Sequence, residues 1–153
     1  MPPEDGIKLR AEDADDLAVI SACLQDALVA VRDLAYDRAA RQFMLVANRF
    51  RWENRPAGSD GDAEFERVVC GVAFGGVDAV AYRGFRRSDE DGILSLLAIH
   101  APPSDEAGTI ELAFAADATI RLTVSGICCN IRDLGEPWPT TWAPDHPLDD
   151  NSP

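Results

Sequence analysis

The residues best suited to recognise a charged group lie in one predicted strand, where arginines alternate with aromatic side chains. Neighbouring side chains of a strand point to opposite faces, so Phe50 and Trp52 share one face while Arg49 and Arg51 share the other. The segment 38–55 contains five arginines and one glutamate, a local charge of +4 in a chain whose net charge is −13. Because a guanidinium binds carboxylates and phosphates through two parallel hydrogen bonds, these arginines predict a site for an anionic ligand or partner. They are equally suited to pair with the chain's own surplus acids.

The C-terminal tail, residues 136–153, is a second segment suited to recognition. It holds five of the ten prolines and two of the three tryptophans, Trp138 and Trp142. A segment of this composition is extended and does not build a core of its own. We expect Trp138 to fold back over the domain or, alternatively, to be captured by another protein, and we expect residues 145–153 to be disordered.

No group of residues has the spacing of a catalytic or metal centre. The two histidines, His100 and His146, stand outside the H-x-x-x-H and H-E-x-x-H patterns. Ser125 is the polar residue expected at a bend rather than the nucleophile of a G-x-S-x-G elbow. Acidic residues are plentiful, but the sequence singles out no pair that would act as acid and base. We therefore assign no catalytic residue, no metal site and no cofactor.

The charge and the cysteines narrow the class of partner and the compartment. With 27 acidic and 14 basic residues, the chain lacks the excess positive charge that favours nonspecific binding to nucleic acid or to an anionic membrane. The acidic N-terminus lacks the apolar core of a secretory signal. The four cysteines show neither C-x-x-C nor zinc spacing, so we expect them to be reduced and the protein to be cytoplasmic. They are Cys23, Cys70, Cys128 and Cys129.

The predicted fold class is α+β, mainly antiparallel β with one N-terminal helix, in a single domain over residues 7–135. The helix should begin at Asp13, whose side chain can cap the first turn with Asp16 three residues further on, and end near Gln25. After it the apolar period changes to two, which predicts strands. The apolar stripe of the helix consists of Leu17, Ile20, Leu24 and either Ala27 or Leu28.

An internal repeat is the main architectural signal of the sequence. Residues 72–77 read apolar, small, apolar, small, glycine, apolar, and residues 122–127 repeat that order fifty positions later. The surrounding strands align as two four-stranded units, residues 28–85 and 93–134, which we expect to pack as a sandwich or a curled barrel. The predicted strands are 28–36, 41–52, 65–74 and 77–85 in the first unit, and 93–101, 109–115, 119–124 and 127–134 in the second, the last being a strand or a short helix.

Three local predictions concern the geometry of these strands. The pair Gly75-Gly76 is either a two-residue hairpin turn or a sharp bend in one long strand. The nearly continuous apolar run 93–101 predicts a strand buried on both faces. A three-residue loop at 116–118 would set Phe114 opposite Ile120, with the apolar side chains of both strands on one face.

Four short stretches follow one another in the order found in a known protein family. They are LQDA at 24–27, NRFRWE at 48–53, ILSLLAI at 93–99 and RDLGEPW at 132–138. Taken together they resemble a family of small alphaproteobacterial proteins named domain of unknown function 2948, or DUF2948, over residues 7–138. The resemblance implies no established activity, cofactor or catalytic residue.

These observations favour a non-catalytic binding protein of the cytoplasm, an adaptor or a small regulatory protein. Its partner would be another protein or a small anionic ligand, bound by Arg49, Arg51, Trp52 and Trp138. One alternative is a small enzyme that uses carboxylates in a cleft between the two units. Another is a structural subunit that closes a sheet edge by forming a homodimer.

Overall fold

A helix, α1 (Ala14–Cys23), follows the short strand β1 (Lys8–Ala11) in the computed structural model, which describes residues 6–50, 65–101, 108–135 and 138–140. Of residues 65, 66 and 138–140 only the backbone is described. The Asp13 carboxylate accepts the backbone N–H of Asp16 at 2.8 Å, which confirms the predicted N-cap. The predicted stripe is buried. No helix within the described ranges is long and apolar enough to cross a membrane.

Strands form most of the remaining described chain, and all their pairings are antiparallel. Those up to the Gly75-Gly76 pair are β2 (Leu28–Ala30), β3 (Ala35–Asp37), β4 (Gln42–Phe50) and β5 (Phe65–Gly75). Those after it are β6 (Val77–Arg83), β7 (Ile93–His100), β8 (Gly108–Phe114), β9 (Ala118–Val124), β10 (Cys129–Asp133) and β11 (Trp138–Thr140).

The strands form one open sheet. Its hydrogen-bonded order is β1-β10-β5-β4-β2-β7-β8-β9-β6, with β3 beside β4 and β11 beside β5. In the described part of the chain, β1 and β6 lie at opposite ends and do not pair with each other, so the sheet is not closed into a barrel. The predicted class, mainly antiparallel β with one N-terminal helix, is confirmed, whereas the curled-barrel alternative is not formed.

Between β10 and β6 the strand order is symmetric, because strands with the same position in the two predicted units lie at equal distances from the centre. β2 and β7, the first strands of the two predicted units, pair with each other at the centre. The second and third strands follow on each side, β4 and β5 on one and β8 and β9 on the other. The fourth strands then exchange sides, because β10 pairs with β5 and β6 pairs with β9. Each half of the sheet thus contains three strands of one unit and the last strand of the other.

The Gly75-Gly76 pair is a bend and not a hairpin turn. The strands on either side of it pair with different partners, β5 with β4 and β10, and β6 with β9. Gly76 has a φ of 69°, a left-handed conformation that glycine adopts without steric cost. This bend lies against the one at Ser125-Gly126. The backbone N–H of Gly75 donates to the Cys128 carbonyl at 2.9 Å, and the backbone N–H of Ser125 donates to the Gly76 carbonyl at 3.0 Å.

The prediction of one strand over residues 28–36 is wrong. β2 ends at Ala30, a 3₁₀ turn covers Val31–Asp33, and β3 begins afterwards. Val31 and Leu34 are both buried although three residues separate them along the chain. A 3₁₀ turn places residues i and i+3 on the same side, whereas a strand would place them on opposite faces.

The prediction that β7 is buried on both faces is also wrong. Leu94, Leu96 and Ile99 point into the core, but Ile93 and Leu97 are exposed. The change from even to odd buried positions coincides with a register shift between Leu96 and Ala98 in the pairing with β8. A bulge of this kind re-aims the side chains beyond it. The apolar run therefore reflects one buried face and a bulge.

The register of β8 and β9 differs by two residues from the prediction. Phe114 lies opposite Ala118, and Leu112 lies opposite Ile120. The turn is centred one residue earlier than predicted because Ala116 and Asp117 both adopt left-handed backbone, with φ of 66° and 63°. That conformation is typical of the two central residues of a type I′ turn. A shift of two keeps each side chain on its face, so the predicted buried face is retained.

One cluster of buried apolar side chains joins the helix to both halves of the sheet. It includes Leu17 of α1, Phe43 of β4, Leu112 of β8 and Ile131 of β10. Burying each such side chain stabilises the fold by about 1.5–3 kcal/mol. The inward alternation continues to the ends of β4 and β10, where the next inward positions are charged residues.

We expect Gly76→Ala to lower the free energy of unfolding by about 1–2 kcal/mol, because a side chain at this φ is strained. An added Cβ would also lie 2.8 Å from the Ser125 Oγ. Urea unfolding checks this prediction. Gly135→Ala is the matched control, since its Cβ would meet nothing within 4 Å. Equal stability of the two variants would contradict the assignment of Gly76 as a constrained bend.

Candidate functional site

The structure separates the residues that the sequence predicted to bind a partner. Arg49 lies near the end of β4, and the backbone of Trp138 lies opposite Arg67 where β11 pairs with β5. Arg51 and Trp52 lie outside the described residues, as do residues 141–153. The described candidates therefore meet at one end of the β4–β5–β10 part of the sheet.

Arg49 is fully buried, because it occupies an inward position of β4. The buried residues of this strand alternate as Phe43, Leu45, Ala47 and Arg49, and Arg49 is 0% exposed. A charged group at such a position is costly unless an opposite charge and hydrogen bonds compensate it inside the protein. Arg49, predicted to bind a ligand or partner, thus lies in the core of the described structure.

The Asp133 carboxylate neutralises Arg49. Its Oδ1 accepts the Nε–H of Arg49 at 2.9 Å and its Oδ2 accepts an Nη2–H at 2.8 Å, a two-bond fork. The Nη1 of Arg49 donates to the Phe50 carbonyl at 3.0 Å, and Oδ2 of Asp133 also accepts the backbone N–H of Ile7 at 2.8 Å. Of the alternatives left open for Arg49, pairing with an acid of the same chain is the one realised.

Cys70 lies between the two charged residues and is chemically inert. It is opposite Asp133 on β10 and opposite Ala47 on β4. Burial, with a smaller effect from the negative charge of Asp133, raises the pKa of the Cys70 thiol to about 12. Burial also raises the pKa of Cys129. Since the thiolate is the nucleophile, both thiols are unreactive at neutral pH.

A second buried arginine, Arg67 of β5, lies on the opposite face of the sheet and was missed by the sequence prediction. Val68 and Cys70 point into the core, so the neighbouring Arg67 points to the other face. There it is 1% exposed, and its guanidinium carbon lies 4.1 Å from the centroid of the Phe50 ring. Its Nη2 donates to the Asn48 carbonyl at 2.6 Å. Burial lowers the pKa of Arg67 to about 10, so the side chain stays charged at neutral pH.

The hydrogen-bonding capacity of Arg67 is largely unused. Within the part of the chain that the structure describes, its Nε and Nη1 atoms are buried and have no hydrogen-bond partner. Three of the five N–H groups of a guanidinium are carried by these two atoms. Buried polar groups in proteins are nearly always paired, so the unpaired state of these two atoms calls for an explanation. Arg49 is matched by a carboxylate, whereas Arg67 has a carbonyl and an aromatic ring.

The sequence contains one signal that points to Arg67, but the signal requires the strand register. The pairing of β4 with β5 sets Phe50 opposite Arg67, and β11 places the Trp138 backbone on its other side. An arginine opposite an aromatic residue on a neighbouring strand is a recognisable cation–π arrangement. Without the register, Arg67 is an ordinary charged residue near the beginning of a predicted strand.

A pocket of about 50 Å³ lies beside β2, where the two predicted units meet, and its described lining contains one carboxylate, that of Asp33. Because one water needs about 10–15 Å³ of such space, a pocket of this size accommodates only a few water molecules. The other described lining residues are Leu28, Ala30, Val46, Asn48 and Ile93. A shallower pocket of about 130 Å³ lies on the outer face of β6 and β9.

Comparison with known proteins identifies a family whose function is unknown. The family model described as protein of unknown function DUF2948 matches residues 7–146, which confirms the resemblance seen in the sequence. No curated protein and no solved structure matches the chain. Any function assigned to the site consequently depends on its geometry.

Arg49→Met is expected to lower the free energy of unfolding by about 3–5 kcal/mol, because it leaves the Asp133 carboxylate buried without its counter-ion. Asp133→Leu should have a similar effect for the converse reason. In the double variant most of this loss should be recovered, since neither charge remains. Urea unfolding of the four proteins measures the coupling. A double variant with the summed loss of the two single variants would contradict a buried ion pair.

Arg67→Met is expected to raise the free energy of unfolding by roughly 1 kcal/mol or more, because it removes a buried charge that has no counter-ion and keeps a similar volume. The matched control is Arg121→Met. Arg121 is exposed and pairs with Glu111 at 2.9 Å, so its replacement should change stability by at most about 0.5 kcal/mol. A loss of stability in Arg67→Met as large as that in Arg49→Met would show that Arg67 is internally compensated.

Proposed function

The chain belongs to the DUF2948 family, and we propose that it acts by binding, as a non-catalytic adaptor or small regulatory protein of the bacterial cytoplasm. The proposed site is centred on Arg67, with Asn48 and Phe50 beside it. One observation carries the proposal. Arg67 is a buried cation whose Nε and Nη1 have no acceptor among the described residues.

The energetics of Arg67 favour an anionic partner. Burying an ion costs several kcal/mol even after the protein relaxes. Stacking on Phe50 offsets about 2 kcal/mol of this cost when the pair is desolvated. The hydrogen bond to the Asn48 carbonyl offsets about 1.5–3 kcal/mol more. A negatively charged group of a partner would supply the remaining hydrogen bonds and the counter-charge.

The buried ion pair gives Arg49 a different role from the one predicted. Arg49 and Asp133 would not touch the partner, because they lie buried on the inner face and pair with each other there. They would instead hold β4 and β10 in place on either side of β5, which carries Arg67. Trp138 belongs to the same end of the sheet through its backbone pairing with Arg67.

The alternative of a carboxylate enzyme between the two units has less support. An enzyme that uses a pair of carboxylates needs one acidic side chain on each side of its substrate. The pocket between the units has one acid in its described lining and accommodates only a few water molecules. Binding at Arg67 requires no such cleft.

We also propose that the protein lies in the cytoplasm and that its two units arose by duplication. All four cysteines are free thiols, which favours a reducing compartment. The strand order that reads the same from both ends favours descent of the two units from one four-stranded ancestor. In such an arrangement the exchange of fourth strands would follow from the equivalent bends at Gly76 and Gly126.

Affinity capture from an extract of the source bacterium tests the proposed function. The tagged full chain would be compared with Arg67→Met and with the control Arg121→Met. Native mass spectrometry would detect a bound small molecule, and gel analysis would detect a bound protein. We expect a ligand or partner that the unmodified chain and the control retain and that Arg67→Met loses. Identical recovery with all three proteins, or no recovery with the unmodified chain, would exclude binding through Arg67.

A further inference from the structure

We propose that the group bound at Arg67 is a monovalent carboxylate. This inference rests on the proposed binding function and adds the chemical class of the ligand. It depends on three properties of the site, which are its charge, the planarity of its surroundings and its closure from solvent.

The charge of the site matches a monoanion. Arg67 contributes one positive charge, and its described neighbours Asn48 and Phe50 are neutral. The other buried arginine of this region, Arg49, is already paired with Asp133 on the opposite face. A carboxylate brings one negative charge and gives a neutral complex. A phosphate monoester carries a charge between about −1.5 and −2 at pH 7 and would leave excess negative charge buried in a chain of net charge −13.

The planarity of the site also favours a carboxylate. The N–H groups of a guanidinium lie in its plane, and the guanidinium carbon of Arg67 lies over the Phe50 ring, 4.1 Å from its centroid. A carboxylate can lie in the same plane and receive N–H bonds at both oxygens. A tetrahedral phosphate would direct some of its oxygens out of that plane, where an aromatic ring cannot donate hydrogen bonds to them.

The closure of the site limits the size of the group that enters. Arg67 is 1% exposed, so the guanidinium contacts the ligand only through a small group or the end of a longer molecule. Two sources supply such a carboxylate, a free small carboxylic acid and the C-terminus of a peptide. Both present the same chemistry to Arg67, and the experiment below distinguishes them.

The test follows the Nε–H signal of Arg67 by NMR in the ¹⁵N-labelled full chain. The signal is assigned by its absence in Arg67→Lys, and Arg121 provides an internal control. Sodium formate, acetate, phosphate and chloride are titrated at equal ionic strength. We expect formate and acetate to shift the Arg67 signal to saturation and phosphate to bind at least about tenfold more weakly. Chloride and the Arg121 signal should show no saturating change.

A thermal readout provides a second, independent measurement. A ligand that binds only the folded state raises Tm by an amount that grows with the logarithm of its concentration once that concentration exceeds Kd. Acetate should raise Tm of the unmodified chain and of Arg121→Met but not of Arg67→Met, which is expected to fold. An acetylated tripeptide with a free C-terminus and its amide form the other arm. If the free peptide binds at least about tenfold more tightly than acetate and the amide does not bind, the source is a peptide.

The outcomes separate this inference from the proposed function. Tighter binding of phosphate than of carboxylates at Arg67 would overturn the carboxylate assignment and leave binding through Arg67 intact. Absence of any response to formate, acetate and the peptide would overturn it as well. In that case the capture experiment decides whether the proposed function also fails. It fails if Arg67→Met recovers the same molecules as the unmodified chain.

Discussion

The buried ion pair between Arg49 and Asp133 is the constraint around which this end of the fold is organised. It joins β4 to β10 across β5, and the Asp133 carboxylate also receives the N–H of Ile7 beside β1. The residues it connects are 84 and 126 positions apart in the chain. Neither charge could stay buried without the other, so the strands that carry them form their contacts together. Cys70 lies beside the same pair, and burial is the main cause of the raised pKa of its thiol.

This pair exists only because the fourth strands exchange sides. Asp133 belongs to the last strand of the second unit, whereas Arg49 belongs to the second strand of the first unit. If β10 stayed beside β9, Asp133 would lie in the other half of the sheet and Arg49 would lack a counter-ion. The bend at Gly76 makes the reciprocal exchange of β6 sterically feasible, and the backbone hydrogen bonds between the two bends fix where the strands cross. The position of β10 beside β5 thus makes the Arg49–Asp133 ion pair possible, and the ion pair in turn stabilises that position.

The two buried arginines differ in the groups that surround them. Arg49 faces the core, where a complete set of partners leaves it no capacity for a ligand. Arg67 faces outward from the adjacent strand, stacked on Phe50, with two nitrogens that have no partner among the described residues. A buried polar group without a partner calls for an explanation, and the proposed ligand supplies one. The free carboxylate proposed for this site would complete for Arg67 what Asp133 completes for Arg49.

The sequence by itself determined the local features of this protein. The cap at Asp13, the apolar stripe of the helix, the positions of most strands and the buried face of the β8–β9 hairpin follow from side-chain spacing within a few residues. Tertiary structure alone decided the register, the exchange of β6 and β10, the burial of Arg49 and the importance of Arg67. These depend on which distant strands become neighbours, and alternation along one strand fixes two faces without stating which of them the core will cover. The sequence therefore pointed to Arg49 on β4, whereas the fold pairs Arg49 with Asp133 and leaves two nitrogens of Arg67 on β5 without a hydrogen-bond partner among the described residues.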